Sequence, residues 1–291
     1  MSDGDVMVIG DLMVDVVVQH RRPLEVGSDS PARVRMAGGG SAANTACWLA
    51  SMGEHPRLLA ARGADHLGVH AADELDRSGV ALVGPVVDDA ATGTCVVLVD
   101  GDGERTMLPD RGANDRLPVA AVVGSLDPLP GWLHLSGYAI LHEGSRNAAR
   151  TALSAALAAG VPVSVDAAST APIRAVGADA FVHWIDGASI VFANDDEIAA
   201  LGGVAAVLAH CDAVAVKHGA AGATWSDGGD PVTAEGHPVE AVDSTGAGDA
   251  FAAGWIAAVR GGAEVPEALA DAVRAGATAV TQVGARPPVP S

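Results

Sequence analysis

The feature that most constrains the fold is an alternation of short apolar runs with longer amphipathic stretches. Predicted strands lie at 5–10, 57–61, 132–136, 161–166, 189–193 and 212–217. Predicted helices lie near 41–53, 67–79, 144–160, 195–208, 247–260 and 264–283. Several of these strands are apolar on both faces, as strands are when helices cover both sides of a parallel sheet. The pattern predicts an α/β fold with a doubly wound, mostly parallel sheet flanked by helices.

Two strand pairs interrupt this alternation, because no helix separates their members. The first pair is 14–20 with 33–37, and the second is 93–100 with 104–109. Gly101-Asp102-Gly103 joins the second pair and is typical of a hairpin turn. The two pairs predict a small separate β-sheet.

The inserted segments, at about 12–37 and 90–112, are expected to form this sheet as a lid over a site. A sheet with one uncovered face is also prone to association, so a homodimer through the lid is a further expectation. No linker is long enough to split the chain, and residues 1–291 are predicted to form a single domain.

The charge of the chain excludes some partners. The chain carries 36 Asp and Glu against 17 Lys and Arg, a formal net charge of −19. Such a surface repels nucleic acid and anionic membranes, so neither is an expected partner. The three cysteines are widely spaced, which argues against a disulfide framework or a zinc site. The first residues do not resemble a signal peptide and no apolar run reaches about 18 residues, so a cytoplasmic location is expected.

The segment DSTGAGDAF, residues 243–251, carries the clearest chemical signal. Gly246, Ala247 and Gly248 precede a run of good helix formers, which places bare backbone N–H groups at a helix N-terminus. Such a terminus attracts anions, including a phosphoryl group in transit. Asp249 follows in the first turn and is suited to take a proton from an attacking hydroxyl. Taken alone, the short motif also fits an ordinary helix with an acidic first turn.

Other nucleotide-binding motifs are missing from the sequence. The chain has no G-x-x-x-x-G-K-[ST], so a P-loop is not the phosphate-binding device. Gly-Ala-Gly is also not the G-x-G-x-x-G that opens a dinucleotide-binding unit, which disfavours an NAD-dependent enzyme.

Four motifs together resemble the ribokinase-like (PfkB) family of carbohydrate and nucleoside kinases over essentially the whole chain. DSTGAGDAFAAGW is similar to the family's C-terminal signature, and AGGGSAANTACWLASMG, residues 37–53, to its N-terminal signature. VIGDLMVDVVV is similar to its first strand and the entry into the lid, and NDDE at 194–197 to its N-x-x-E. The resemblance implies an ATP-dependent phosphotransferase that uses Mg²⁺.

Within this resemblance, Asp249 is the expected general base, and the N–H groups of Gly246, Ala247 and Gly248 form the expected anion hole. Asn194 and Glu197 would help to bind ATP and Mg²⁺, with Glu197 contacting the ion through water. The same spacing also fits a capping box, in which the two side chains serve only the start of a helix.

The resemblance places the loop at Lys217, Gly219 and Gly222 against the phosphates of ATP. A lysine at this position departs from the family pattern and could instead be a solvent-exposed loop residue. Asp243, together with the segment 279–288, resembles a loop that binds K⁺, so activation by potassium is expected.

The expected substrate-binding residues are Asp15, Gly39, Gly40, Asn44 and Tyr138. Short polar side chains and glycines suit a polyol, although Asp15 and Asn44 taken alone fit ordinary positions at a strand edge and a helix start.

The sequence predicts transfer of the γ-phosphoryl group of ATP to a hydroxymethyl group of a sugar or sugar acid. Few aromatic residues are available to stack on a base, since they make up 3% of the chain, so a sugar is favoured over a nucleoside. An adenosine-like nucleoside kinase and a non-catalytic ligand-binding homologue remain the alternatives. Arg105 and Arg111, in or beside the lid, could meet a carboxylate or phosphate or could simply be surface residues.

Overall fold

The computed structural model of the protein describes residues 4–20, 22–101 and 105–288. Of the predicted hairpin turn, Asp102 and Gly103 lie outside the described residues. The strands are β1 Val6–Ile9, β2 Met13–Gln19, β3 Arg33–Gly39, β4 Pro56–Leu59, β5 Arg62–Gly63, β6 Ala81–Leu82, β7 Val86–Val87, β8 Gly93–Val99, β9 Arg105–Asp110, β10 Trp132–Ser136, β11 Val163–Asp166, β12 Ile190–Asn194, β13 Val214–Lys217, β14 Gly222–Ser226 and β15 Val232–Glu235.

The α-helices follow the strands along the chain. They are α1 Ser41–Ser51, α2 His66–Arg77, α3 Val119–Ser125, α4 Gly137–Leu141, α5 Glu143–Ala158, α6 Thr170–Val176, α7 Ala178–Trp184, α8 Asp195–Ala200, α9 Val204–Leu208, α10 Ala247–Arg260 and α11 Val265–Ala279. Short 3₁₀ turns cover Gly112–Arg116 and Gly219–Ala221.

The main sheet confirms the predicted fold class. Within the described residues it has nine strands in the order β15-β14-β13-β12-β11-β10-β1-β4-β6. The pairs from β6 to β13 are parallel, and only the edge pairs β13/β14 and β14/β15 are antiparallel. The strand order runs outward in both directions from β1 and β10, which is the doubly wound arrangement.

Two hydrophobic layers sandwich this sheet, one on each face. In β1, Met7 and Ile9 pack into the layer that contains α5, while Val6 and Val8 pack into the layer that contains α1 and α10. All four side chains are fully buried. A strand that buries both faces has no polar alternation, which is why the sequence showed continuous apolar runs.

A second sheet of four strands forms the lid, a name used below for β3-β2-β8-β9. Its central pair β2/β8 is parallel, and the outer pairs β2/β3 and β8/β9 are antiparallel. Asn114 joins the lid to the core, because its side chain accepts the N–H of Leu12 over 2.9 Å and donates to the carbonyls of Leu12 and Arg111. The division of the chain into domains stays a prediction.

Some elements differ from the sequence prediction. The helix predicted at 195–208 is two short helices, α8 and α9, separated at Gly202 and Gly203, whose φ angles are 89° and 96°. Such angles suit glycine and end a right-handed helix. The helix predicted to reach residue 283 ends at Ala279. In the described part of the chain, no helix is both long enough and apolar enough to span a membrane.

Candidate active site

The candidate site lies at the carboxyl edge of the parallel sheet, where ligands of open α/β sheets gather. Polar residues end or follow five strands there: Asp11, Ser136, Asp166, Asn194 and Lys217. All of these except Ser136 line one cavity of about 1100 Å³ that the lid covers. Ser136 stands behind the wall and donates its hydroxyl to Asp11 over 3.2 Å.

Asp249 lies in the first turn of α10, and the first turn of α1 holds its carboxylate. The hydroxyl of Ser41 donates to Oδ1 over 2.8 Å, and Nδ2 of Asn44 donates to Oδ2 over 2.9 Å. Gly40 precedes α1 with φ of 91°, and a Cβ there would lie 2.5 Å from the carbonyl oxygen of Asp11. Only glycine therefore lets α1 begin so close to Asp11.

The environment of Asp249 sets its protonation. Burial is the main cause that raises the pKa of Asp249 to about 7, and the nearby carboxylates of Asp166 and Asp11 add to the rise. The hydrogen bonds from Asn44 and Ser41 stabilise the charged carboxylate and therefore oppose this rise in the pKa. A carboxylate with a pKa near neutrality is well matched to general-base catalysis.

The predicted anion hole lies at the start of α10. Gly246 caps the helix with φ of 78°, and a Cβ there would lie 2.4 Å from the carbonyl oxygen of Ala285. Ala247 and Gly248 are the first helical residues, so their N–H groups have no acceptor within the helix, and that of Ala247 makes only a long hydrogen bond of 3.4 Å to the carbonyl of Ser244. A Cβ on Gly248 would lie 3.0 Å from Nζ of Lys217, so the ammonium group stands beside this helix end. Helix dipole and lysine together favour an anion.

The predicted substrate residues form the part of the site beneath the lid. Asp15, Gly40, Asn44 and Tyr138 line the cavity. Gly39 lies behind Asp15, where a Cβ would stand 2.2 Å from Oδ1 of the carboxylate. Burial raises the pKa of Asp15 to about 6, although the positive charge of Arg286 opposes the rise.

Arg286 is a supporting residue that the sequence analysis did not single out. Its Nε donates to Oδ1 of Asn44 over 3.2 Å, and its Nη2 donates to the carbonyl of Gly39 over 2.8 Å. Its third nitrogen, Nη1, faces Glu74 at 3.3 Å. Arg286 thereby orients the amide of Asn44, so that Nδ2 points at Asp249.

Asn194 and Glu197 form the capping box that the sequence left open as an alternative. The N–H of Glu197 donates to Oδ1 of Asn194 over 2.9 Å, and Oε2 of Glu197 accepts the N–H of Asn194 over 2.8 Å. Both residues also line the cavity. The capping role and a role towards ATP or Mg²⁺ are therefore compatible.

Lys217 is not a solvent-exposed loop residue. Its Nζ donates to Oδ2 of Asp166 over 2.7 Å, and its side chain is 16% exposed. Burial acts to lower the pKa of Lys217, but the carboxylates of Asp166 and Glu197 hold it above its usual value. The lysine is therefore a fixed positive charge in the cavity. Asp166 was missed in the sequence because VDAAST carries no recognisable motif.

Asp243 bridges two loops near the anion hole. Its Oδ1 accepts the N–H of Thr245 over 2.8 Å, and its Oδ2 accepts the N–H of Gly284 over 3.0 Å. Nη2 of Arg105, on β9 of the lid, lies 2.6 Å from Oδ1, and its Nη1 donates to Ser244 over 3.1 Å. Burial would raise the pKa of Asp243, but these hydrogen bonds and Arg105 hold it below the usual range.

The remaining wall of the cavity is formed mostly by glycine and apolar residues. Gly219 and Gly222 line it, and a Cβ on Gly222 would lie 2.0 Å from the carbonyl oxygen of Ala234. The sequence analysis missed the loop after β15. The other wall residues are Gly236, His237, Pro238, Val239, Val273, Gly276, Ala277 and Val280. Apart from His237, these residues are small or apolar, as in the walls of many small-molecule sites.

The opposite end of the cavity, under the lid, carries two further basic residues. Arg111 follows β9, and His142 follows α4; both line the cavity. The ring of Tyr138 lies 6.3 Å from the ring of His142. Burial lowers the pKa of His142, and the positive charge of Arg111 lowers it further.

The chain is similar to known carbohydrate kinases in sequence and in fold. The profile of the pfkB family of carbohydrate kinases matches residues 3–291. An ATP-dependent ribose-1-phosphate kinase of Halopiger xanaduensis is 34% identical over 287 residues, which cover 97% of this chain and 93% of the relative.

Solved structures repeat the fold. A ribokinase II from E. coli in complex with ATP and Mg²⁺ superposes with a TM-score of 0.87 at 23% identity, covering 97% of this chain and 94% of the other. An Arabidopsis thaliana ribokinase complexed with ribose and ATP has a TM-score of 0.79 at 25% identity, covering 98% and 95%.

Proposed function

Because the chain belongs to the pfkB family of carbohydrate kinases, we propose that it moves the γ-phosphoryl group of ATP to a hydroxymethyl group of a sugar, with Asp249 as general base. The observation that carries this proposal is the position of Asp249. Its carboxylate lies in the cavity, beside the helix end at Gly246, with a pKa of about 7.

The proposed step uses groups at the starts of α1 and α10, together with Lys217 at the end of β13. The acceptor hydroxyl would lie against Asp249 and give its proton to the carboxylate as its oxygen attacks the γ-phosphorus. The bond from that phosphorus to the oxygen bridging the β- and γ-phosphates breaks, and ADP leaves with the electron pair. The N–H groups of Gly246, Ala247 and Gly248, together with Nζ of Lys217, stabilise the negative charge on the phosphoryl oxygens. Ser41 and Asn44 keep the carboxylate of Asp249 in place before the sugar binds.

The residues near Glu197 fit a magnesium ion bound with ATP. Burial is the main cause that raises the pKa of Glu197, and repulsion from the charge of Asp166 raises it further, while Lys217 opposes the rise. A divalent cation would relieve that repulsion. Glu197, Asp166 and Asn194 would hold it, in agreement with the preference of Mg²⁺ for oxygen ligands and retained water. Bound there, the ion would neutralise charge on the phosphates.

No comparison tests activation by K⁺, and the residues at Asp243 do not fit the ion in this conformation. Both carboxylate oxygens already accept backbone N–H groups, and Arg105 supplies a positive charge 2.6 Å from Oδ1. A second cation on the same oxygen would meet that guanidinium at close range. We therefore assign no role to K⁺ in the step.

The sugar is proposed to lie between Asp15, Asn44 and Tyr138. The carboxylate of Asp15 can accept from two hydroxyls, and the glycine at position 40 lets the ring approach the backbone. The 34% identical relative is named for ribose 1-phosphate, so pentoses and their phosphates are the first compounds to test. An adenosine-like nucleoside kinase stays the alternative, to be tested in the same series.

The test is ATP consumption by the purified protein with Mg²⁺ and a panel of pentoses, ketohexoses, sugar acids, sugar phosphates and nucleosides. Asp249→Asn is expected to lower kcat by about 10²–10⁴ on the active compound, the usual effect of losing a general base. ATP binding by this variant, followed by calorimetry, should be unchanged. Turnover that survives the substitution would exclude Asp249 as the base.

A further inference from the structure

Arg111 is a nearly buried cation with few partners. Its side chain is 11% exposed, and its Nε donates to Oδ1 of Asp115 over 2.8 Å. Asp115 is itself 43% exposed, so this ion pair is open to solvent on one side. Within the described part of the chain, Asp115 is the one hydrogen-bond partner of the guanidinium, and both Nη groups are left for the cavity that Arg111 lines.

Comparably buried arginines of this protein are better satisfied. Arg57, Arg260 and Arg286 have side chains that are 7% to 16% exposed, and Nη1 of Arg286 is buried without a hydrogen bond of its own. Each donates two or more side-chain hydrogen bonds to carboxylate, amide or carbonyl oxygens. A buried charge without such partners is costly. The two Nη groups of Arg111 are therefore available to hydrogen-bond with a ligand in the cavity.

The backbone around Arg111 is fixed rather than loose. Nδ2 of Asn114, a residue 2% exposed, donates to the carbonyl of Arg111 over 2.9 Å and to that of Leu12 over 3.0 Å. Leu12 follows Asp11 at the carboxyl edge of the sheet. The position of Arg111 is thus tied to the floor of the site, as a ligand-binding residue requires.

His142 adds a second donor at the same end. His142 lines the same cavity as Arg111, and burial followed by the positive charge of Arg111 lowers the pKa of its imidazole. Tyr138 lines the same cavity as Asp249, and its ring lies 6.3 Å from the ring of His142. The lid wall above is mostly apolar, with Met13, Cys95 and Pro109, which strengthens electrostatic interactions below it.

We propose that Arg111 and His142 bind an anionic group, phosphate or carboxylate, that the sugar already carries at the end away from the reacting hydroxymethyl group. The fork of a guanidinium matches the oxygens of either anion, and the imidazole adds one donor. This inference rests on the proposed function and narrows it to sugar phosphates or sugar acids. The product would carry an acidic group at each end.

The test is equilibrium binding by calorimetry without ATP, so that no turnover is needed. The probes are a pentose 1-phosphate, a pentonate and the unmodified pentose. Arg111→Ala is expected to weaken binding of the preferred anionic sugar by about 10- to 100-fold, the usual loss for a hydrogen bond to a charged group, and to leave the neutral pentose unaffected. Arg116→Ala, an exposed arginine in the same 3₁₀ turn, is the control and should change neither.

His142→Gln should also weaken binding of the anionic sugar. Arg111→Lys should bind that sugar more tightly than Arg111→Ala does, because it keeps the positive charge. The anionic probe that binds better identifies the group as phosphate or carboxylate. Wild-type binding of the neutral pentose as tight as that of both anionic sugars would overturn the inference, as would equal effects of Arg111→Ala and Arg116→Ala. Tight binding of an anionic sugar without its phosphorylation would instead count against the proposed function alone.

Discussion

At the scale of single residues, the properties of Asp249 come from its neighbours. In an ordinary first turn a carboxylate would titrate near its usual value, but here burial raises the pKa to about 7. Ser41 and Asn44 donate to its two oxygens and act in the opposite direction. The balance leaves a base that is charged above neutrality and protonated below it.

This balance predicts the pH dependence of the reaction. Below about pH 7 Asp249 is protonated and cannot accept a proton, so kcat/KM should rise with pH and level off above the pKa. Ser41→Ala removes a hydrogen bond to the charged form, so the pKa should increase and the midpoint of the profile should move to higher pH by about one unit.

Ser51→Ala, at the other end of α1, is the matched control and should leave the midpoint in place. Its hydroxyl donates to the carbonyl of Trp48, far from Asp249 along the helix. An unchanged midpoint in Ser41→Ala would mean that Asp249 does not control the profile.

At the scale of elements, the site depends on how closely α10 packs against its neighbours. A Cβ on Gly254, in the middle of α10, would lie 2.8 Å from Cβ of Ala275 and 3.0 Å from Cα of Ala272, both on α11. The glycine therefore lets the two helices approach, and α10 carries the anion hole at its first turn. Packing at Gly254 and chemistry at Asp249 are linked through one rigid helix.

Gly254→Ala should lower the free energy of unfolding by about 1–3 kcal/mol, because overpacking forces the helices apart. Chemical denaturation measures this change. Gly124→Ala, in α3, is the same substitution with nothing within 4 Å of the new Cβ, and it should be neutral or slightly stabilising. Equal stability of the two variants would show that α10 and α11 can separate without cost.

The lid reaches the phosphate end of the site through Arg105. Since this arginine already pairs with Asp243, activity of the wild-type protein should not differ between K⁺ and Na⁺ at fixed ionic strength. Arg105→Ala should lower activity and make the remaining activity respond to K⁺, because Asp243 would lose its positive partner. Wild-type activation by K⁺ would contradict this expectation and would favour the original potassium prediction.

At the scale of the whole molecule, the outer face of the lid is unusually apolar. Asp15 and Cys95 point into the cavity, so alternate residues point outwards. Val34 is 60% exposed, Met36 50% and Leu108 54%. Exposed apolar faces of this kind mark association surfaces. The homodimer through the lid stays a prediction, and this face supports it.

Val34→Glu should therefore shift the protein from dimer to monomer in light scattering at micromolar concentration, since it places a charge on the apolar face. Val123→Glu, at a position 65% exposed on α3, is the same substitution away from the lid and should leave the mass unchanged. A wild-type monomer at this concentration would refute the predicted dimer.

Much of the molecule could be predicted from local patterns. Apolar runs such as VMVI in β1 report burial on both faces, and hence a parallel sheet between helices. The string DSTGAGDAF indicates a helix N-terminus with a carboxylate because its glycines and acid are adjacent in sequence. The antiparallel edge strands β14 and β15 escaped prediction, since short strands with mixed burial have no distinctive period.

The sequence by itself determined the fold class and predicted the helix end at Gly246 and the candidate base Asp249, because each depends on residues that are neighbours along the chain. Only the tertiary structure decided which groups surround them. Ser41 and Asn44 meet Asp249 across more than 200 positions, and Asp166 meets Lys217 across 51. Arg105 at Asp243 and Arg111 beside His142 likewise depend on how the lid closes over the sheet. Burial and charge at these contacts between distant residues set the pKa values and the specificity of the site. No local sequence pattern encodes such contacts.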